Sequence, residues 1–109
     1  MNDRLLSFLG LCRRAGKLVI GFDPLRDAVE TGKAFLVLVA SDISANTLKK
    51  LNTALGDFDV PFYTVNRTKD EISFSLGKTC ACLAVIDKGF ADKLTELVNA
   101  EQKKEETTI

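Results

Sequence analysis

Leu5, Leu6, Phe8, Leu9 and Cys12 recur at helical spacing near the start of the chain, so the pattern opens on an amphipathic helix. Asn2 or Asp3 can cap it, and it ends near Arg14 with Gly16 just past the stop. Lys17 to Ile20 is short and β-rich, which predicts a strand. After the Gly21 turn, Asp23 as cap and Pro24 as first helical residue open a helix to Thr31, with Leu25, Ala28 and Val29 inward and Gly32 as stop. Residues 34–40, Ala-Phe-Leu-Val-Leu-Val-Ala, are apolar throughout, the pattern of a strand covered on both faces.

Ser41-Asp42-Ile43-Ser44 then starts a helix to about Leu55, where Leu48, Leu51 and Leu55 repeat at helical spacing before Gly56. Pro61 to Val65 reads as the next strand. Thr68 and Glu71 match the capping-box pattern, which predicts a short helix to Leu76 with Gly77 as its stop. Cys80 to Ile86 is a second continuous apolar run. Lys88 to Asn99 closes the pattern as a helix with Phe90, Leu94, Leu97 and Val98 inward, and residues 101–109 read as a polar, flexible tail.

Strands alternating with helices place residues 1–100 in the α/β class as a single domain. The architecture expected is a three-layer α/β/α sandwich around a small, largely parallel, mixed sheet. The short first strand should be an edge, and the second and last strands central.

Composition narrows the possibilities. The chain has 109 residues, enough for one core, and fifteen basic residues balance fifteen acidic ones. Without residues 101–109 the balance is thirteen to twelve, so any affinity for a polyanion must come from local clustering rather than an overall field. No apolar run approaches the roughly 20 residues of a membrane span. No leader pattern opens the chain, and three cysteines without framework spacing suit a reducing compartment. A cytoplasmic monomer with no membrane partner is expected.

The richest stretch runs from Arg13 to Asp27. It joins a basic helix end, a glycine stop, a short strand, a second glycine and a helix start, with Arg13, Arg14, Lys17 and Arg26 close in sequence. A helix start offers unpaired N–H donors and partial positive charge, so this turn could hold a phosphate. Gly77-Lys78-Thr79 resembles the tail of a P-loop, but it leaves a helix for a strand, the reverse of the order that motif needs. It reads as a helix stop that leaves Lys78 free to meet a phosphate.

Cys80 and Cys82, two apart on an expected strand and so on one face, read as packing; a zinc set would need carboxylates, because the chain has no histidine. The lack of histidine also removes the commonest general base. Asp42, after the central strand, lies where open α/β sheets often bind ligands, but reads first as part of a helix start. No catalytic residue, metal site or cofactor is expected. An isolated Arg13-Arg14-Lys17 triplet is a solvated helix end unless the fold brings Arg26, Lys69 and Lys78 to the same edge.

The string Leu11-Cys12-Arg13-Arg14-Ala15-Gly16-Lys17-Leu18-Val19-Ile20-Gly21 is followed by Ala28-Val29-Glu30-Thr31-Gly32-Lys33-Ala34 and Leu36-Val37-Leu38-Val39-Ala40-Ser41-Asp42. In that order and spacing the chain resembles the ribosomal L7Ae/L30e family, most closely its small bacterial YlxQ-type branch, over about residues 4–98. The resemblance implies an α/β/α sandwich and binding of kinked, internally looped RNA, especially kink-turns. It also implies that the turn matching Gly21, Phe22 and Asp23 through Asp27 enters an RNA groove, and that the loop matching Leu76 to Cys80, with Gly77, Lys78 and Thr79, covers an extruded base. Well-studied kink-turn binders carry an Asn-Glu pair and a later lysine where this chain has Asp23-Pro24 and Asp27, and a glycine where it has Ser73.

The expectation is a non-catalytic RNA-binding protein, ribosome-associated, with Gly21, Arg26 and Lys78 on the RNA backbone, Asp23 as base reader, and Arg13, Arg14, Lys17 and Lys69 supplying charge. The alternatives are a protein-interaction adaptor of the same fold without RNA recognition, and a small-nucleotide binder at the strand ends near Asp42.

Overall fold

The computed structural model describes residues 3–107, with side chains through Glu101. The elements run α1 (Arg4–Arg14), β1 (Leu18–Ile20), α2 (Phe22–Glu30), β2 (Leu36–Val39), α3 (Ala45–Leu55), β3 (Phe62–Thr64), α4 (Lys69–Leu76), β4 (Cys82–Val85) and α5 (Lys88–Thr107). The strands form one sheet in the order β1-β4-β2-β3. The short β1 is an edge, and β4 and β2 lie in the centre, as expected. The sheet is mixed but not largely parallel: β1–β4 and β4–β2 are antiparallel, and β2–β3 alone is parallel. Apolar runs report burial on both faces, which a central strand has whichever way its neighbours point, so the sequence pattern carried no information on direction.

Alternation along the strands divides the core in two. Leu36 and Leu38 of β2, with Leu83 and Val85 of β4, pack under Leu5, Leu9 and Cys12 of α1, Ile72 and Leu76 of α4, and Leu94 and Val98 of α5. Val37, Val39, Cys82 and Ala84 point the other way, against Leu25 and Val29 of α2 and Leu51 and Leu55 of α3. Each fully buried leucine contributes ~1.5–3 kcal/mol, so the two layers hold the sheet between them. Among the described residues no polar or charged side chain is buried.

Cys80 does not share a face with Cys82. It precedes β4 instead of lying on it, so strand alternation does not apply, and the two thiols enter opposite core layers. Within the Ser41–Ser44 segment expected to start α3, Ser44 is the cap, its hydroxyl accepting from the Thr47 amide at 3.1 Å, and the capping box at Thr68 and Glu71 also forms as expected. Instead of ending at Asn99, α5 carries on to Thr107 through residues for which the sequence predicts a frayed tail. Residues 101–107 contain no glycine or proline, and their glutamates and lysines are good helix formers. Residues 108 and 109 lie outside the described residues.

Arg67 fastens three distant parts of the chain. Its guanidinium donates to Asp3, the N-cap of α1, at 2.7 Å and to Glu101 of α5 at 2.7 Å. Asp3 is held below its ordinary carboxylate value, first by the Arg67 hydrogen bond. A depressed carboxylate stabilises the fold in full above its unfolded-state pKa, and that contribution is lost as pH falls through the lower folded-state value. Thermal denaturation between pH 6 and 2 should therefore show a stability loss at the acid end that is smaller in Asp3→Asn, which keeps the cap but not the charge.

Candidate functional site

Antiparallel pairing on both sides of β4 brings the carboxyl ends of β1, β2 and β3 to the same end of the sheet as the amino end of β4. Four connections therefore meet there. The Gly21 amide donates to the Cys82 carbonyl at 3.0 Å, Ala40 to Ala81 at 2.9 Å, and Ser41 to Arg67 at 2.8 Å. In spatial order the rim carries the β1–α2 turn, the α4–β4 loop, the β2–α3 loop and the β3–α4 loop. With strands about 4.8 Å apart, it spans roughly 14 Å from Gly21 to the start of α4.

The turn at the β1 end is built on Gly21. Its φ of 101° and ψ of 162° swing the chain straight into α2 while its amide stays on Cys82, and its carbonyl accepts the Leu25 amide at 3.1 Å. The helix thus starts at Phe22 with Gly21 as N-cap, not at Pro24 with Asp23 as cap. Pro24 sits in the first turn, where its missing N–H leaves no helical bond unmade. Asp23 is released from capping. Its side chain is 85% exposed and pairs with Arg26 at 3.7 Å, while the Arg26 guanidinium lies 5.6 Å from the Phe22 ring centre.

The α4–β4 loop is held from both sides. Gly77 ends α4 in the left-handed conformation at φ 73°, and the Ser73 hydroxyl accepts the Cys80 amide at 3.0 Å across the loop. Arg13, from the last turn of α1, donates to the Leu76 carbonyl. That carbonyl, at a helix end, has no partner within α4. Lys78 and Thr79 stand exposed between these anchors. At the opposite end of the rim the Asp42 carboxylate accepts the Lys69 amide at 2.7 Å, so the group weighed as a ligand contact holds the start of α4. Among the described residues neither Lys69 nor Lys78 forms an ion pair.

The fold therefore gathers Arg13, Gly21, Phe22, Asp23, Arg26, Lys69, Gly77, Lys78 and Thr79 along one edge, where Asp23, Asp42 and Glu71 have partners on the protein and Asp70 adds a further carboxylate beside Lys69. It leaves Lys17 at the other end of the sheet. The Lys17 carbonyl accepts the Ile86 amide at the far end of β4, about 13 Å from Gly21 by four extended residues. Arg14 folds back along α1, its Nη1 3.7 Å from where a Cβ on Gly10 would stand. Closeness in sequence misleads here because β1 separates Lys17 from Gly21.

Two features lie outside the residues singled out from sequence. Phe74, on the outer face of α4 one turn before Gly77, is 93% exposed. Lys49 and Lys50 of α3 line, with Asn46, a groove against Phe22, Asp23 and Arg26 of α2. The polar stripe Asn46, Lys49, Lys50 and Thr53, opposite Leu51 and Leu55, was readable from helical spacing.

The thiols offer no chemistry to this edge. Burial pushes Cys12 and Cys80 up to about 11 and raises Cys82 as well. Because the thiolate is the reactive form, a thiol reagent at pH 8 should modify all three only as fast as the protein unfolds. Rapid labelling of native protein would contradict that packing.

Residues 3–95 match the Ribosomal protein L7Ae/L30e/S12e/Gadd45 family. The RNA-binding protein YlxQ of Enterococcus faecium is 34% identical over 89% of this chain and 93% of its own, and that of Bacillus subtilis strain 168 is 37% identical over 84% and 91%. A solved structure of a protein of unknown function from Bacillus halodurans superposes with a TM-score of 0.81 at 32% identity, covering 90% of this chain and 99% of that one. The chain belongs to the ribosomal protein L7Ae/L30e/S12e/Gadd45 family.

Proposed function

We propose that this protein is a non-catalytic RNA-binding protein that takes structured RNA, kink-turn-like or otherwise looped, across the rim, and that it serves a cytoplasmic ribonucleoprotein such as the ribosome. The observation that carries this reading is the meeting of the Gly21–Arg26 turn and the Leu76–Cys80 loop on one edge. The names of the two YlxQ relatives support the class of ligand.

In this reading Gly21 lets the backbone approach the RNA, since it adds no side chain between the α2 start and the ligand. Arg26, Lys69 and Lys78 neutralise phosphates, and Arg13 acts at one remove by fixing the loop that carries Lys78. Asp23, exposed and free of capping duty, accepts from guanine N–H groups. Pro24 offers no side-chain hydrogen bond and Asp27 repels phosphate, so discrimination for kink-turns over other looped RNAs should be modest. Binding should depend on shape and charge together.

Titration of a kink-turn RNA, an unrelated internal-loop RNA and a plain duplex at several salt concentrations tests the proposal. With about three phosphates neutralised, log affinity should fall against log salt with a slope of roughly −2.5. Binding that ignores salt, or that is absent for every looped RNA, would remove it. The zero net charge and Asp27 favour one second reading, an adaptor that binds protein. Partners that stay with the protein after ribonuclease treatment would support that instead.

A further inference from the structure

Helices α2 and α3 both start at the rim and run away from it side by side, leaving a groove of about 710 Å³ between them. We infer that this groove, resting on the RNA-binding reading above, is a second RNA site: it takes the single-stranded backbone flanking the looped element held at the rim. Phe22 and Asp23 open it at the rim, Arg26 lies one turn down α2, and Asn46, Lys49 and Lys50 form the facing wall.

Charge sets the ligand class. Arg26, Lys49 and Lys50 face one carboxylate, Asp23, whose pairing with Arg26 at 3.7 Å is solvent-exposed and so weak. Among the described residues Lys49 and Lys50 form no ion pair. A second large hollow, beside Phe35 and Tyr63, lacks this surplus, because Lys88 there is tied to Asp92 at 3.3 Å and Glu96 adds a further carboxylate. Of these two hollows, the surplus of cations belongs to the groove continuous with the rim.

Shape favours a strand over a free anion. Lys49 and Lys50 stand on the α3 wall and Arg26 faces them from α2, so the cations line both sides of the groove rather than gathering at a point. The partly buried Phe22 ring at its mouth, carrying the Arg26 guanidinium, supplies an aromatic surface beside the cations. Cations along a groove with an aromatic at one end is the composition by which proteins hold single strands without reading sequence.

The probe is a hairpin with an asymmetric internal loop, prepared with and without a single-stranded extension of about six nucleotides on either strand. Wild-type protein should bind one extended hairpin more tightly than the bare one. In Lys49→Gln/Lys50→Gln that gain should vanish, the salt slope for the extended probe should flatten by about 1.4 for two single-strand phosphates, and the bare hairpin should bind as before. Both lysines are exposed, so the melting temperature should hold.

Three results would overturn the groove. Neither extension strengthens wild-type binding; the double variant keeps both gain and slope; or it weakens bare and extended probes equally, which would assign the lysines to the general field of the rim. The first two, with salt-dependent binding of the bare hairpin retained, leave the rim reading intact. Loss of all RNA binding by the wild type removes both.

Discussion

Arg26→Glu/Lys78→Glu is expected to lower affinity for looped RNA by at least two orders of magnitude. The two side chains come from opposite sides of the rim, one from the second turn of α2 and one from the loop before β4. Each hydrogen bond from a charged group to phosphate is worth about 1.5–3 kcal/mol, so losing both costs ~3 kcal/mol or more, and reversal adds repulsion. The salt slope should flatten by about 1.5 in the same titration. Both positions are exposed, and Arg26 loses a surface pairing with Asp23 and its contact with the Phe22 ring, so the fold should survive. Unchanged affinity in a folded variant would move the interface elsewhere.

Gly21→Val is expected to destabilise the protein by roughly 2–3 kcal/mol, a fall in melting temperature on the order of 10–20 °C for a domain of this size. The cause is backbone strain, not crowding. A Cβ at Gly21 would find its closest neighbour, Pro24 Cδ, at an ordinary 3.7 Å. A φ of 101° with ψ near 162° is open to glycine alone, and the turn cannot relax without breaking the bond to Cys82 or the first bond of α2. Gly56→Ala makes the control. Gly56 lies in the right-handed helical region at φ −56°, with room for a Cβ at 3.5 Å from its neighbours, so alanine there should be neutral or slightly stabilising. Equal losses at both positions would refute the backbone explanation.

The same residues show what a sequence can disclose. Apolar runs at 36–39 and 82–85 disclosed two central strands, because burial on both faces leaves no other pattern. Thr68 with Glu71 disclosed the start of α4, since capping is settled within four residues. Strand direction was not legible, because it depends on which end of β4 meets β1, a long-range matter that no local pattern encodes. The α2 start was misplaced for a local reason: Asp-Pro is the stronger signal on paper, but a glycine already bonded across the sheet begins the helix first.

For the candidate site, glycine-flanked basic residues were legible and their meeting was not. Arg13 joins Leu76 across a separation of sixty-three residues, and only the antiparallel β1–β4 pairing sets Gly21 beside the loop that follows Gly77. Lys17 shows the same in reverse, lying near Gly21 in sequence and at the other end of β1. Lys49 and Lys50 passed unremarked because a lysine pair on an exposed helix face is ordinary until a second helix turns it into a wall.

The glycines supply built-in reporters of where RNA lands. Gly21 and Gly77 lie on the rim, whereas Gly32 and Gly56 lie in the connections at the other end of the sheet and Gly89 in the first turn of α5 there. An amide-resolved NMR titration of the uniformly labelled protein with a looped RNA should shift Gly21, Gly77 and Lys78 first and furthest, with Gly32, Gly56 and Gly89 still. Largest shifts at Gly32, Gly56 or Gly89 would contradict the account.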